Sequence, residues 1–184
     1  AFSRQMTDAT PKVAARVDIP ITSGASYLVS ANMWAAKTAV LAMGIAQDEV
    51  GRADATAMVV GAGDAQGSVA AELLALVFRR LVVVDRAPDR LLNLLSRIAE
   101  SSPHCEVEVA TRVASHLAEA DLVVTGMAPG WTGTVDPRVL KSGAVLCDCA
   151  RPQEFGVEDG DAHPDVLFVL AGEIELPGPA EVGV

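Results

Sequence analysis

The chain has 184 residues, a net charge of −10, 51% hydrophobic residues and only 4% aromatic ones. That length suits one domain with a small appendage, its core built mostly from Ala, Val and Leu. The charge argues against nucleic acid and against an anionic membrane surface, both of which would repel it. No apolar run is long enough to span a bilayer.

Residues 1–20 read as an irregular N-terminal segment punctuated by Pro11 and Pro20. Its start, Ala1-Phe2-Ser3-Arg4-Gln5, has no signal-peptide pattern and no initiator Met. The sequence therefore reads as cytoplasmic, and as processed or excised from something longer. Residues 21–54 read as a helix packing on the domain that follows. Its apolar face is Tyr27, Val29, Met33, Trp34, Ala36, Val40 and Leu41. Ser23 or Ser26 is a candidate cap, Gly44 a candidate end, and residues 46–54 look loop-like. A helix this apolar is also a candidate homo-oligomer surface.

From residue 55 to 176, strand-like and helix-like runs alternate. Strands are expected at Ala57–Val60, Leu81–Val84, Cys105–Ala110, Leu122–Thr125, Ala144–Cys149 and Val166–Leu170. Helices are expected at Ser68–Arg79, from Pro88 to about Ala99, and at Val113–Ala120, with a short turn opened by Asp136-Pro137. The alternation of apolar and charged residues in Cys105–Ala110 suits an edge strand. Residues 177–184 read as a tail. The pattern predicts an α/β fold, a doubly wound parallel sheet of Rossmann type preceded by a long N-terminal helix, with strand order 3-2-1-4-5-6. The loops after Val60, Val84, Thr125 and Cys149 are expected to line one cleft.

The motif that carries function is Gly61-Ala62-Gly63-Asp64-Ala65-Gln66-Gly67, between the first strand and the first helix of this unit. Gly61 permits a tight turn, Gly63 close approach of a pyrophosphate, and Gly67 close packing of helix on strand. All seven residues are candidates to cradle the phosphates at the helix N-terminus, where unpaired N–H groups and the dipole favour negative charge. The spacing is G-x-G-x-x-x-G, one residue longer than the common fingerprint. Asp85 ends the second strand, where a carboxylate holds the adenosine ribose and repels a 2′-phosphate. Arg86 and Arg90 follow, and an arginine there holds a 2′-phosphate instead. The cofactor reading is NAD or NADP, with Asp85 tilting it to NAD. SAM and flavin stay open in the same crevice.

Met127 follows the fourth strand and is a candidate to border the nicotinamide; an ordinary strand exit is the other reading. Thr22, Ser23 and Gly24 are candidates for the substrate side, or simply for a helix entry. Tyr27 could serve as a proton donor, but a Tyr on an apolar helix face is more often packing. His104, His116 and His163 have no metal-ligand spacing and no Ser or Asp partner, so no metal site and no catalytic residue is assigned. Cys105, Cys147 and Cys149 read as reduced thiols, the last two on one face of a strand.

Several segments follow one another in a familiar order: Ile21-Thr22-Ser23-Gly24, Val59-Val60-Gly61-Ala62, Gly67-Ser68, Ala120-Asp121-Leu122-Val123-Val124, Asp136-Pro137-Arg138-Val139-Leu140 and His163-Pro164-Asp165-Val166. Together they resemble the nucleotide-binding part of the fatty acyl-ACP reductase family, which makes fatty aldehydes from acyl thioesters with NADPH. More distantly they resemble the cofactor domains of shikimate dehydrogenases and glutamyl-tRNA reductases. The likeness covers about residues 21–176. It implies a nicotinamide cofactor and a small-molecule or acyl-carrier substrate. Three features depart from the acyl-ACP reductases: no cysteine here matches their catalytic one, Thr22-Ser23-Gly24-Ala25 replaces their Thr-Thr-Gly-Asn, and Asp85 stands where their second strand ends without an acid. The Lys/Asp pair of the shikimate dehydrogenase substrate domain has no counterpart in this sequence. The expectation is an NAD(P)-dependent oxidoreductase, or its cofactor-binding domain, moving hydride to or from a carbonyl or acyl thioester. The alternative is a non-catalytic nucleotide-binding or scaffolding module of a larger biosynthetic protein.

Overall fold

Aliphatic runs covered on both sides form the inner strands, because such strands have no polar face to show to water. The computed structural model describes residues 12, 15–16, 18, 24–46 and 53–171. Within them, Ala53–Val60 (β1), Phe78–Val84 (β2), Glu106–Ala110 (β3), Leu122–Thr125 (β4), Val145–Asp148 (β5) and Leu167–Leu170 (β6) make one sheet. Its order is β3-β2-β1-β4-β5-β6 and every neighbouring pair is parallel. This is the order read from the sequence, with the alternating segment at the edge as β3.

The α-helices are Ala25–Ala42 (α1), Ala65–Ala75 (α2), Leu92–Ser101 (α3) and Val157–Ala162 (α4), and Pro88–Leu91 forms a 3₁₀ turn leading into α3. Period-two alternation splits the sheet between two cores. Ala57, Val59, Leu81, Val83, Leu122 and Val124 pack with Met33, Ala36, Leu74, Leu94 and Ile98 of α1, α2 and α3. Met58, Val60, Val82, Val84, Val123 and Leu146 face the other way. That second face is closed by Val113, Leu117, Trp131, Leu140 and Phe155, which lie in 3₁₀ turns and loops.

Local expectations change at several points: Phe78 and Arg79, read as the end of a helix, already belong to β2, and α4 has no counterpart in the sequence reading. The α2 helix begins at Ala65 rather than Ser68, because the Asp64 carboxylate accepts the Ala65 N–H (2.9 Å) and the Asp64 carbonyl accepts the first helical bond from Ser68 (2.8 Å). Gly67 therefore lies inside the first helical turn. In α1, Val29, Met33, Ala36 and Val40 are buried, but Tyr27 and Trp34 are 61% and 65% exposed. Those two residues are a heptad apart, about opposite the buried stripe. The helix follows Gly24 at φ 73° and has no side-chain cap, so Ser26 does not serve as one. Gly44, at φ 70°, does end it. The segment Val113–Ala120 is two 3₁₀ turns, Val113–Ser115 and Leu117–Glu119, meeting at His116. Tight three-residue turns fit this short link from β3 to β4. Finally, β1 starts at Ala53, within the stretch read as a loop.

Candidate functional site

Parallel strands bring their carboxyl ends to one edge, and the chain reverses its order between β1 and β4, paired at Val59 and Val124. A ligand crevice is expected at such a switch point. The glycine turn sits there. Gly61 takes φ +80°, a conformation L side chains rarely adopt, and the Gly61 and Ala62 N–H groups both donate to the Val84 carbonyl (2.9 and 3.0 Å). A Cβ on Gly67 would collide with the Gly61 carbonyl, so α2 lies directly against the turn. The Gln66 and Gly67 N–H groups precede the first i→i−4 bond and have no intrahelical acceptor. With the helix dipole they favour an anion at this point.

Asp85 is only 2% exposed. One carboxylate oxygen accepts the Gly63 N–H (3.2 Å) and the other the Ala87 N–H (2.9 Å). A Cβ on Gly63 would collide with that carboxylate. Arg90 lies 3.6 Å from Asp85 and 3.8 Å from Asp64, bridging the two acids. Asp85 thus clamps the glycine turn to the end of β2 through charge-assisted hydrogen bonds.

The loop after β4 folds back over this turn. Met127 is buried in the core beneath α1. A Cβ on Gly61 would come within 2.6 Å of the Ala128 Cβ and 3.0 Å of Trp131 Nε1. Trp131 is 7% exposed, and the Arg86 guanidinium stacks on its ring, 4.5 Å from the centroid. Arg86 Nη2 also donates to the Gly130 carbonyl (2.7 Å). Arg86 is thereby joined to the loop after β4 while its residue stays exposed.

At the end of β5, the buried Asp148 accepts N–H groups from Ala150 (2.9 Å), Glu154 (2.7 Å) and Phe155 (3.1 Å), which fixes the following loop. Its register partner Thr125 has a buried hydroxyl with no hydrogen-bond partner. Cys147 and Cys149 share a face, with their sulfurs 3.9 Å apart. The neighbouring Cys147 thiol and burial push the Cys149 thiol well above its ordinary range. His116 lies 3.5 Å from Glu108 of β3, at the sheet edge. Among the described residues, no group of His, Cys, Asp and Glu is placed to hold a metal, and no helix is long and apolar enough to cross a membrane.

The structure brings together Gly61, Ala62, Gly63, Asp64, Ala65, Gln66, Gly67, Asp85 and Arg86. Gly24 is exposed at the start of α1, while Thr22 and Ser23 lie outside the described residues. Trp131 and Asp148 carry much of the local geometry and were not singled out from sequence. The one signal for Trp131 was a lone aromatic in the glycine-flanked loop after β4. The turn fits a dinucleotide in its close contact with the N-terminus of α2. It departs in carrying the Asp64 carboxylate at that terminus, with Arg90 offsetting the charge.

The profile of the shikimate / quinate 5-dehydrogenase family matches residues 44–152. A shikimate dehydrogenase (NADP(+)) from Rubrobacter xylanophilus is 31% identical over 125 residues, which are 65% of this chain and 44% of that protein. The chain thus spans less than half the length of this curated relative. Among solved structures, a dipicolinate synthase component from Bacillus halodurans superposes with a TM-score of 0.50 at 20% identity, over 83% of this chain and 47% of that one. It supports the fold. The quinate dehydrogenase from Corynebacterium glutamicum in complex with NAD has a TM-score of 0.45 at 20% identity, over 63% of this chain and 42% of that one. The family that matches is the more distant of the likenesses read from sequence. The chain belongs to the shikimate / quinate 5-dehydrogenase family.

Proposed function

We propose that this chain binds NADP(H) in the crevice between β1 and β4 and serves hydride transfer at a carbonyl group. When bound, the nicotinamide supplies or accepts the hydride. Gly61 to Gly67 would hold the pyrophosphate, Met127 would border the nicotinamide, and Gly24 with Thr22 and Ser23 would line the substrate side. The observation behind NADP rather than NAD is the state of Asp85. Its carboxylate is withdrawn and occupied by the Gly63 and Ala87 N–H groups and faces Arg90 at 3.6 Å, while Arg86, the next residue, is exposed. An acid turned inward neither holds a ribose diol nor repels a 2′-phosphate effectively, whereas a guanidinium attracts one.

The substrate class follows the relative named shikimate dehydrogenase (NADP(+)): an alcohol–ketone pair, with an acyl thioester on a carrier as the second candidate. We place the protein in the cytoplasm, and self-association, if present, along the exposed Tyr27 and Trp34 side of α1. Sedimentation as a monomer at high concentration would remove that last element.

Calorimetric titration of NADP(H) and NAD(H) into the purified chain tests the cofactor reading, with Arg86→Ala and Asp85→Asn alongside. NADPH binds more tightly than NADH, Arg86→Ala closes the gap, and Asp85→Asn weakens both by loosening the turn. Selective loss of NADH in Asp85→Asn would return the acid to the ribose. Binding of neither cofactor would leave a non-catalytic module of a larger protein.

A further inference from the structure

We infer that Trp131 is a specificity-determining positioning residue, whose ring holds the Arg86 guanidinium in the orientation that receives a 2′-phosphate. This rests on the NADP reading above and goes beyond it, because it assigns discrimination to a loop two strands away from the strand-end acid. Three observations carry it. First, Trp131 is nearly buried between the glycine turn and Arg86, with its Nε1 only 3.0 Å from where a Gly61 Cβ would be. Glycine at position 61 is therefore required twice, for its positive φ and to admit this ring. Second, the guanidinium lies over the indole face at 4.5 Å and commits one N–H to the Gly130 carbonyl at 2.7 Å. A guanidinium has five N–H donors, so donors remain for an anion while the plane is fixed by the ring. Third, the neighbouring acid does not compete. Asp85 engages backbone N–H groups and lies 3.6 Å from Arg90, and no ion pair joins it to Arg86 among the described residues.

An exposed arginine carries many rotamers, and ordering it on binding costs affinity. Stacking on an aromatic face removes most of that freedom beforehand while leaving the charge intact. The benefit reaches only a ligand that uses the guanidinium. NADPH carries the 2′-phosphate and NADH does not, so Trp131 acts on the difference between them.

The experiment is titration of NADPH and NADH into the full chain and into Trp131→Phe, Trp131→Leu and Arg86→Ala, with unfolding midpoints confirming that each variant is folded. Trp131→Phe keeps a π face, whereas Trp131→Leu keeps bulk without one. We expect Trp131→Leu to lose about tenfold in NADPH affinity, the order of one cation–π contact, and to hold NADH within about twofold. Trp131→Phe recovers most of the loss, and adding Trp131→Leu to Arg86→Ala changes NADPH binding no further. Equal weakening of both cofactors in Trp131→Leu, or no change in either, would overturn the assignment and leave Trp131 as packing, with the cofactor reading intact. A wild-type preference for NADH would overturn it too. Binding of neither cofactor to wild type would overturn the assignment together with the reading it rests on.

Discussion

A methyl group added at Gly67 points into the Gly61 carbonyl, with the Gly61 carbonyl carbon 2.9 Å and the Ala62 Cα 3.0 Å away. Every one of those atoms is backbone, so no side chain can swing aside. Gly67→Ala should therefore push α2 off the turn, costing about 1–3 kcal/mol as in overpacked cores. Gly160, within α4, has nothing within 4 Å of an added Cβ. Gly160→Ala should be neutral or stabilising by up to about 1 kcal/mol, because it removes backbone entropy from the unfolded chain. Urea unfolding of both variants checks the contrast, and equal midpoints would refute the close helix–turn packing. Asp148 offers a second test. Asp148→Ala strands three backbone N–H groups at a cost of about 1–3 kcal/mol for each one that stays buried, so it should destabilise more than Asp148→Asn, which keeps an acceptor oxygen. At this scale the sequence revealed the glycines and the strand-end acid, because spacing and residue type express them. It did not reveal that Asp85 faces inward. Whether a carboxylate meets a ribose or a backbone N–H is decided by small details of turn geometry that no spacing records.

Elements were legible where burial imposes a period. The inner strands and the buried stripe of α1 repeat apolar residues at two and about 3.6 positions, respectively. α4 was missed because Glu158, Asp159 and Asp161 form no apolar stripe and none of its residues is buried. The segment Val113–Ala120 misled because Val113 and Leu117 keep helical spacing while the chain between them is pulled into 3₁₀ turns. Cys149 just after β5, and Cys105 just before β3, supply a prediction about chemistry. Burial, helped by Glu106, pushes the Cys105 thiol up to about 11 from an ordinary 9.0. Cys149 shifts in the same direction, through Cys147 and burial. The thiolate is the nucleophile, so at pH 8 these two sulfurs should react slowly with a thiol reagent in the folded protein and rapidly in urea. Fast native labelling of Cys149 would contradict its burial. The same shifts set a pH dependence. The unfolded chain gives up these protons first, so their effect on stability is nil below the ordinary thiol value. Stability then falls as pH rises from about 9 toward 11.

The molecule as a whole is a sheet whose protection declines from the middle outward. β1 pairs with β2 and β4 and is buried on both faces, whereas, among the described residues, β3 pairs with β2 alone and exposes Glu106, Glu108 and Val109. Among the described residues, β6 pairs only with β5, and it has no fully buried residue. Local opening needs fewest broken contacts at such edges. Amide exchange should therefore be slowest at Met58 to Val60, Leu81 to Val84 and Leu122 to Thr125, and fastest among the strands at β3 and β6. Equal protection of β3 and β1 would mean that another surface covers the β3 edge in solution. The ordering bears on function, since the glycine turn hangs from the ends of β1 and β2 through the Val84 carbonyl and the Asp85 clamp. A site tied to the most protected strands is preorganised, while the Trp131 loop leaves β4 with Gly126 and Gly130 at positive φ. Nucleotide binding should then change exchange in residues 126–133 far more than in the strands. An exchange change spread evenly over the sheet would argue that binding tightens the whole domain rather than this one loop.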